Sequence, residues 1–435
     1  MPAAFSPPPL LPNDAIRRML VHRVDELRLA PGMVVATIEA KERAIIAHGS
    51  CKNGGDRLVD GNTIFEIGSI TKLFTALLLA DMVRRREVDL DEPVERLLPA
   101  GVRVPMRNGR EINLRDLASH YAGLPRRPAN LDPFDPDNPY AHYTVDHLYE
   151  FLAGHELVRT PGDTYEYSNI GTGLLGHALV LRAAGRDYET LIRERILIPL
   201  GMSDTVIALP PRLEGRVASP HDSSFDPVPL WNLGVLAGAG AFRSSAADLL
   251  SFLEALGDPT SPIAAIVAPL VTPRARGGMG LGPLHPDGGF VISHSGGTGG
   301  TRSFVRCIPE WKRGVVVLSN ANIDAVVDLG VHVLDTRCAP QWFRQERPVE
   351  ASALARLVGR YQISPNQIFD VTISNGRLFV RLSGQETIRV FPLSDHEYFY
   401  KAVNAQITFK LGDDGRAARL ILHQNASDQI AVRIE

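Results

Sequence analysis

A serine and a lysine three residues apart stand at the head of an apolar run. They lie in Phe65-Glu66-Ile67-Gly68-Ser69-Ile70-Thr71-Lys72, and Leu73 to Val83 follow without a break. Ala and Leu dominate the run and no Gly or Pro interrupts it before Arg84-Arg85-Arg86, so it reads as one helix. It is apolar almost all the way round and should be buried. Ser69 then stands at or just before the first turn, with Lys72 on the same face. As a stability device this lysine is misplaced. A helix N-terminus favours Asp or Glu, a capping box would put Glu or Gln at 72, and a buried ammonium needs a partner. A Ser cap with an incidental Lys accepts all of these costs. A nucleophilic hydroxyl at Ser69, with Lys72 as its buried proton acceptor of lowered pKa, explains them.

Two further stretches could complete such a site. In Tyr165-Glu166-Tyr167-Ser168-Asn169-Ile170-Gly171, after the turn Pro161-Gly162-Asp163, Tyr167 and Asn169 are two apart in a loop and can both face a cleft. A phenol near a buried ammonium could have its pKa lowered and relay protons. The Asn amide could hold Lys72 or a substrate carbonyl. Alone the motif is weak, since a loop Tyr is more often a packing residue. The second stretch, Ser293-His294-Ser295-Gly296-Gly297-Thr298-Gly299-Gly300, ends a β-forming run. The bland alternative is a Gly-rich connection. Its four glycines in five residues are costly in chain entropy, and they let a ligand approach bare backbone whose N–H groups can stabilise an oxyanion.

The elements that must position these residues follow from pattern. Residues 1–12 read as a disordered Pro-rich lead. Asn13-Asp14 can cap a helix over Ala15–Leu29 with Ile16, Leu20, Val24 and Leu27 on one stripe. Met33–Ile38 and Ala44–Ala47 form a hairpin, and strands return at Phe290–His294, Ser303–Ile308 and Gly314–Ser319, before a helix near Asp324–Asp335. Between them, roughly 85–240 is helical, with Arg115–His120, Val145–Leu152 and Thr172–Ala184. Ser245 to Asp248 fits a capping box opening a helix to Leu256. One antiparallel sheet built from both ends of 13–345, with an inserted helical lobe, is the expected catalytic domain. A cleft between them is the natural site. Residues 350–435 change texture to short strands with Asn375-Gly376 and Asp414-Gly415 turns, a separate β-barrel or sandwich. The fold class is α/β (α+β).

The chain has 435 residues, 44% hydrophobic and 22% charged, with net charge -3. That is ordinary for a globular enzyme and gives no electrostatic case for nucleic acid or an anionic membrane. Its three cysteines, Cys51, Cys307 and Cys338, are far apart, so buried reduced thiols are expected. The N-terminus does not read as a secretory signal and no run is long enough to span a bilayer, so a cytoplasmic location is expected unless a leader has been removed.

In this order and context, Ser69-x-x-Lys72, Tyr167-Ser168-Asn169, His294-Ser295-Gly296 and the stretch Leu114–Pro125, with His120-Tyr121-Ala122-Gly123-Leu124-Pro125, resemble the serine β-lactamase and penicillin-binding-protein superfamily. The branch holding class C β-lactamases, D-aminopeptidases and AmpH-like DD-peptidases is the most similar. The resemblance covers roughly residues 13–340. It implies that Ser69 forms the acyl-enzyme, that Lys72 helps to deprotonate it, and that Tyr167 is base or relay to the leaving group. Asn169 would orient Lys72 and the substrate amide, and the N–H groups of Ser69 and Gly297 would form the oxyanion hole. Whether Lys72 or Tyr167 is the acylation base stays open at this point. β-Lactamases of the family carry Lys where His294 stands. A His, mostly neutral at pH 7, fits D-peptidases better, and Arg302 is a candidate compensating cation. The implied function is hydrolysis of a D-amino-acid-containing peptide or amide. A β-lactamase proper, a transesterase or acyltransferase, and a non-turning-over penicillin-binding sensor are the alternatives. The substrate is a small molecule or peptide, no cofactor or metal is implied, and the C-terminal domain could mediate homo-oligomers.

Two rival motifs fail on context. Gly171-Thr172-Gly173-Leu174-Leu175-Gly176 matches GxGxxG with Glu194 beyond it, but follows a polar segment instead of a buried strand, so close helix packing explains its glycines. A nucleophile elbow at Ser295 would have to lead into a helix, whereas a Gly-rich turn and a strand follow. No HExxH or close Cys/His cluster appears.

Overall fold

The computed structural model describes residues 7–131, 138–271, 291–340, 344–385, 387–401, 405–424 and 427–435. Residues 1–6 of the expected lead and Phe290 of an expected strand lie outside them. β1 (Gly32–Glu39) and β2 (Glu42–Gly49) form the N-terminal hairpin, and β3 (Phe65–Glu66) pairs with β4 (Arg243–Ser244) as a separate short ribbon. β5 (Ile292–Gly297), β6 (Arg302–Ile308) and β7 (Arg313–Ser319) complete a five-stranded antiparallel sheet of order β2-β1-β7-β6-β5. The two chain segments meet where β1 pairs with β7, from Met33↔Ser319 to Glu39↔Arg313. Both central strands are buried along nearly their whole length, which explains their continuous apolar runs. Alternation then divides them. Val34, Ala36, Val316 and Leu318 join one core, and Met33, Val35, Val315 and Val317 the other.

Helices cover both faces. They are α1 (Asn13–Val21), α2 (Thr71–Arg84), α3 (Leu114–Ala118), α4 (Val145–Gly154), α5 (Asn169–Arg182), α6 (Tyr188–Ile192), α7 (Pro211–Glu214), α8 (Ala246–Gly257), α9 (Ala264–Val271) and α10 (Val327–Leu334). α2 and α8 lie in the larger core, α1 and α10 in the other. The stripe Ile16, Leu20, Val24 and Leu27 is buried as expected. The expected cap at Asn13-Asp14 is not made. Pro12 holds the cap position in an extended conformation, so both residues fall inside the first turn. Residues 7–12 also correct the expectation of a disordered lead. Leu11 N donates to Val333 O at 3.0 Å, Arg313 reaches the Pro8 carbonyl, and Leu10 and Leu11 pack on the second core. A Pro-rich segment lacks hydrogen bonds of its own and is ordered here by partners outside it.

α11 (Ala351–Ala355) leads into the C-terminal domain, a closed barrel of β8 (Gly359–Ser364), β9 (Gln367–Ser374), β10 (Arg377–Leu382), β11 (Ile388–Pro392), β12 (Glu397–Phe399), β13 (Ala405–Leu411), β14 (Ala417–Gln424) and β15 (Ser427–Arg433). Sequence pattern missed β8, which closes the barrel on β15. Asn375 and Gly376 both take positive φ (49° and 70°), the tight hairpin expected of Asn-Gly. At Asp414-Gly415 a five-residue loop and a register shift replace it. The barrel has its own core around Tyr361, Tyr398, Phe409 and Leu420.

Gly173 and Gly176 of α5 lie against Leu236 and Gly238, so close packing does account for the GxGxxG match. Cys51 and Cys307 are buried, whereas Cys338 is exposed, contrary to expectation. Among the described residues no helix is long and apolar enough to cross a membrane.

Candidate active site

The chain leaves β3 through a 3-10 turn, Gly68–Ile70, and enters α2 at Thr71, so Ser69 stands on the turn and Lys72 in the first turn of the helix. Gly68 has φ +49°, and a Cβ there would lie 2.6 Å from Gly297 N. At Gly296 a Cβ would run into the Ile67 carbonyl. Glycine at 68 and 296 is thus required by the approach of two backbones, which brings Gly297 beside the residue preceding Ser69.

Lys72 is 3% exposed. Its Nζ lies 3.0 Å from Ser69 Oγ, 3.0 Å from Asn169 Oδ1 and 2.6 Å from Ala239 O. Among the described residues no carboxylate pairs with it. Burial, helped by the nearby positive charge of Arg126, pushes its pKa well below the ordinary lysine value.

Tyr167 Oη lies 2.9 Å from Ser69 Oγ. Its loop is held by Ser168, whose Oγ accepts from Gly171 N at 2.9 Å as the N-cap of α5 and donates to Pro125 O at 2.7 Å. Asn169 therefore opens the helix, where a loop position was expected. Its Oδ1 faces Lys72 and its Nδ2 donates to Tyr140 Oη at 3.3 Å. Contrary to the expectation from sequence, the phenol does not become more acidic. Burial pushes Tyr167 up to about 12, outweighing the hydrogen bond to Ser69 and the charge of Arg126. Behind it packs His120, in a left-handed conformation, its ring centre 4.6 Å from that of Tyr167 and its Nδ1 accepting from Ser168 N. Burial lowers His120 to about 3.

His294 faces the same cleft, its ring centre 6.4 Å from that of Tyr167. Its Nδ1 is 2.6 Å from Ser295 O, so that nitrogen carries the proton. Burial, then Lys72, lowers its pKa to about 4 and leaves it neutral at pH 7. Ser295 alternates to the other face of β5 and is exposed, so its side chain is not brought to Ser69. Arg302, opposite Gly297 in the β5–β6 ladder, lays its guanidinium over that glycine. Burial also lowers its pKa.

Sequence reasoning missed Arg126, Tyr140 and the carbonyl of Ala239, and quoted His120 only within a stretch that carries the resemblance. Arg126 stands 5.2 Å from the Tyr167 ring centre and is exposed at the cleft. Tyr140 is buried, and its ring meets Trp231 edge-on at 5.5 Å. A backbone carbonyl leaves no mark on sequence, and Tyr140 sits in a Pro- and Asp-rich stretch without periodicity. His120 and Arg126 could have been singled out, since they bracket the Ala-Gly-Leu-Pro turn. Among the described residues no three His, Cys, Asp or Glu lie close enough to hold a metal ion.

The sheet, the helical lobe and the Ser-Lys-Tyr cluster between them define a serine hydrolase of the β-lactamase/transpeptidase-like fold. The chain belongs to the Beta-lactamase family, whose profile matches residues 17–334, and residues 344–433 match a Domain of unknown function (DUF3471). It is 27% identical over 410 residues to Penicillin-binding protein 4* of Bacillus subtilis, covering 86% of this chain and 88% of that protein. It is 29% identical over 231 residues to the D-alanyl-D-alanine-carboxypeptidase/endopeptidase AmpH of Escherichia coli, covering 52% and 57%. The class C β-lactamase from Rhodobacter sphaeroides superposes with TM-score 0.62 at 26% identity, over 75% of this chain and 98% of that one. The octameric penicillin-binding protein homologue from Pyrococcus abyssi, at 22% identity, shares the fold over 96% of this chain with TM-score 0.64.

Proposed function

We propose that the enzyme forms an acyl-enzyme at Ser69 from amide or ester substrates, with D-amino-acid-containing peptides or amides as the substrate class. The arrangement of acceptors around Lys72 Nζ carries this reading. A neutral lysine has two N–H bonds and one lone pair. Asn169 Oδ1 and Ala239 O can take the two hydrogens, which leaves the lone pair for the Ser69 hydroxyl at 3.0 Å. With Tyr167 protonated at neutral pH, Lys72 is the resting base. As Ser69 attacks the carbonyl carbon, its proton passes to Lys72 and the carbonyl oxygen becomes an oxyanion between the N–H groups of Ser69 and Gly297. Tyr167 then gives its proton to the departing amine or alcohol and recovers one from Lys72. Water repeats the sequence to release the acid.

The substrate class rests on two supports. AmpH and Penicillin-binding protein 4* carry names of D-peptide and penicillin chemistry, and the neutral His294 supplies no fixed charge of the kind a Lys would. A β-lactamase proper and an acyl transferase share the same first step. Ser69→Ala should abolish labelling by a fluorophosphonate or β-lactam probe, read by intact-protein mass. Labelling at the wild-type level would sink the mechanism. Rates on D-amino amides, D-Ala-D-Ala peptides, p-nitrophenyl esters and nitrocefin sort the substrate classes, and a nitrocefin rate far above the rest would overturn the reading of His294. A stoichiometric burst without later turnover would mark a sensor, and faster product formation with added alcohol or amine acceptor a transferase.

A further inference from the structure

Glu66 is an acid buried three residues before Ser69, and the proton path above does not use it. Both its carboxylate oxygens are committed. Oε1 accepts from the Trp231 backbone N–H at 2.6 Å, and Oε2 from the Thr298 hydroxyl at 2.6 Å. The backbone carbonyl of Glu66 accepts from Thr301 Oγ1 at 3.0 Å, and the carbonyl of Ile67 from Ser303 Oγ at 2.8 Å. Arg243, opposite Glu66 in the β3–β4 ribbon, has Nη2 3.7 Å from Oε1 and 2.9 Å from Trp231 O, while its buried Nε has no partner among the described residues. One carboxylate therefore joins three pieces: the approach to the nucleophile, the turn that follows Gly297, and the Trp231 segment that abuts Tyr140.

This is an expensive way to pack a short ribbon. A buried ion pair replaced by apolar residues of similar volume is often no less stable, so packing alone does not call for Glu here. Residues 296–300 carry a different need. Gly296 and Gly297 pair with Ser303 and Arg302 in the β5–β6 ladder, but with glycine at 296, 297, 299 and 300 packing of side chains adds little to where the turn after them lies. Thr298 is the one residue of that stretch with a side chain, and Thr301 follows it. The hydroxyls of both point to Glu66, and to each other at 2.9 Å.

We propose that Glu66 is a positioning residue that sets the separation between the N–H groups of Ser69 and Gly297, and hence the fit of the oxyanion hole to a tetrahedral intermediate. The proposal rests on the acyl-enzyme reading above. It separates the role of Glu66 from mere folding, because an oxyanion hole acts on the tetrahedral state and little on ground-state binding. Glu66→Ala should lower kcat on a p-nitrophenyl ester by roughly 10²-fold with KM little changed. It should weaken phenylboronic acid, which becomes tetrahedral on the serine, by a similar factor. Glu66→Gln should return both values to within a few fold, because Gln still accepts from Trp231 and the Thr298 hydroxyl can turn to accept from its amide. Thr298→Val keeps the shape and removes one link, with a loss of about 10-fold expected should Glu66→Ala fold poorly. A folded Glu66→Ala or Thr298→Val enzyme with wild-type kcat and boronic acid affinity overturns the proposal, as does a fall in kcat without a matching fall in that affinity. Failure of the wild-type chain to form a Ser69 adduct with the ester would overturn the acyl-enzyme reading and this one together. An adduct with unchanged boronic acid affinity in both variants overturns the role of Glu66 alone.

Discussion

Among the described residues two lysines are buried, one in each domain, and they have different fates. Lys72 at the head of α2 and Lys401 just after β12 are 3% and 5% exposed, and burial lowers the pKa of both. Lys401 donates to the carbonyls of Leu27 at 3.2 Å and Arg28 at 3.0 Å, tying the barrel to the end of the N-terminal helical segment. Its Nζ also lies 3.8 Å from Glu346 and 4.3 Å from the ring centre of Phe391. A carboxylate, an aromatic face and two carbonyls all favour an ammonium, so burial brings Lys401 only to about 8. Lys72 also meets two carbonyl oxygens and an aromatic face, the Tyr167 ring centre at 5.0 Å, but it has no carboxylate among the described residues, Arg126 adds a like charge, and its third direction ends on a hydroxyl. Burial alone does not make a lysine a base. The neighbouring charges must also withhold a counter-ion.

Exchanging each lysine tests this contrast where the effect is largest. Lys72→Ala should lower the acylation rate by roughly 10³-fold or more at neutral pH while the protein stays folded, measured by stopped-flow with a p-nitrophenyl ester. A loss under tenfold would break the comparison. The pH profile sharpens it. In the proposed mechanism neutral Lys72 is the active form, so the wild-type acylation rate should rise as pH climbs through its lowered pKa and then stay level, since Tyr167 keeps its proton up to about 12. A rate that falls between pH 7 and 9 would contradict the assignment.

For Lys401 the readout is stability. The folded group gives up its proton near 8 and the unfolded one near 10.5, so between these values the unfolded chain binds more protons and stability rises with pH. The gain should reach about 3 kcal/mol, at about 1.4 kcal/mol per pH unit, and be absent in Lys401→Met, as followed by urea unfolding from pH 7 to 10. The smallest effect belongs to another contact between barrel and catalytic domain, the exposed pair Arg377–Asp226 at 3.3 Å. Arg377→Ala should cost under about 1 kcal/mol and vanish into the error at high salt.

The parts of the site were legible because catalysis breaks local rules. Lys72 at a helix start and the glycines after His294 each contradict what stability alone would choose, Tyr167 and Asn169 stood out only in their company, and the structure gathers them around Ser69. Patterns repeated along the chain were equally readable: the β-forming runs of β1 and β7, the Ile16–Leu27 stripe, the Asn375-Gly376 hairpin. The misses share a cause. The cap at Asn13, the order of residues 7–12, strand β8 and the exposure of Cys338 all depend on what packs beside them, and so does the carbonyl of Ala239.

By itself, then, the sequence determined which residue types stand ready at which element ends, since periodicity and helix-end chemistry are local. Only the tertiary structure decided the protonation states that matter. Lys72 is driven low, Tyr167 high and His294 to about 4, because desolvation and neighbouring charge are set by residues as distant along the chain as Arg126 and Ala239. It also decided that Glu66, an unremarked acid in the opening motif, would meet the turn after Gly297, a contact across 232 residues of chain.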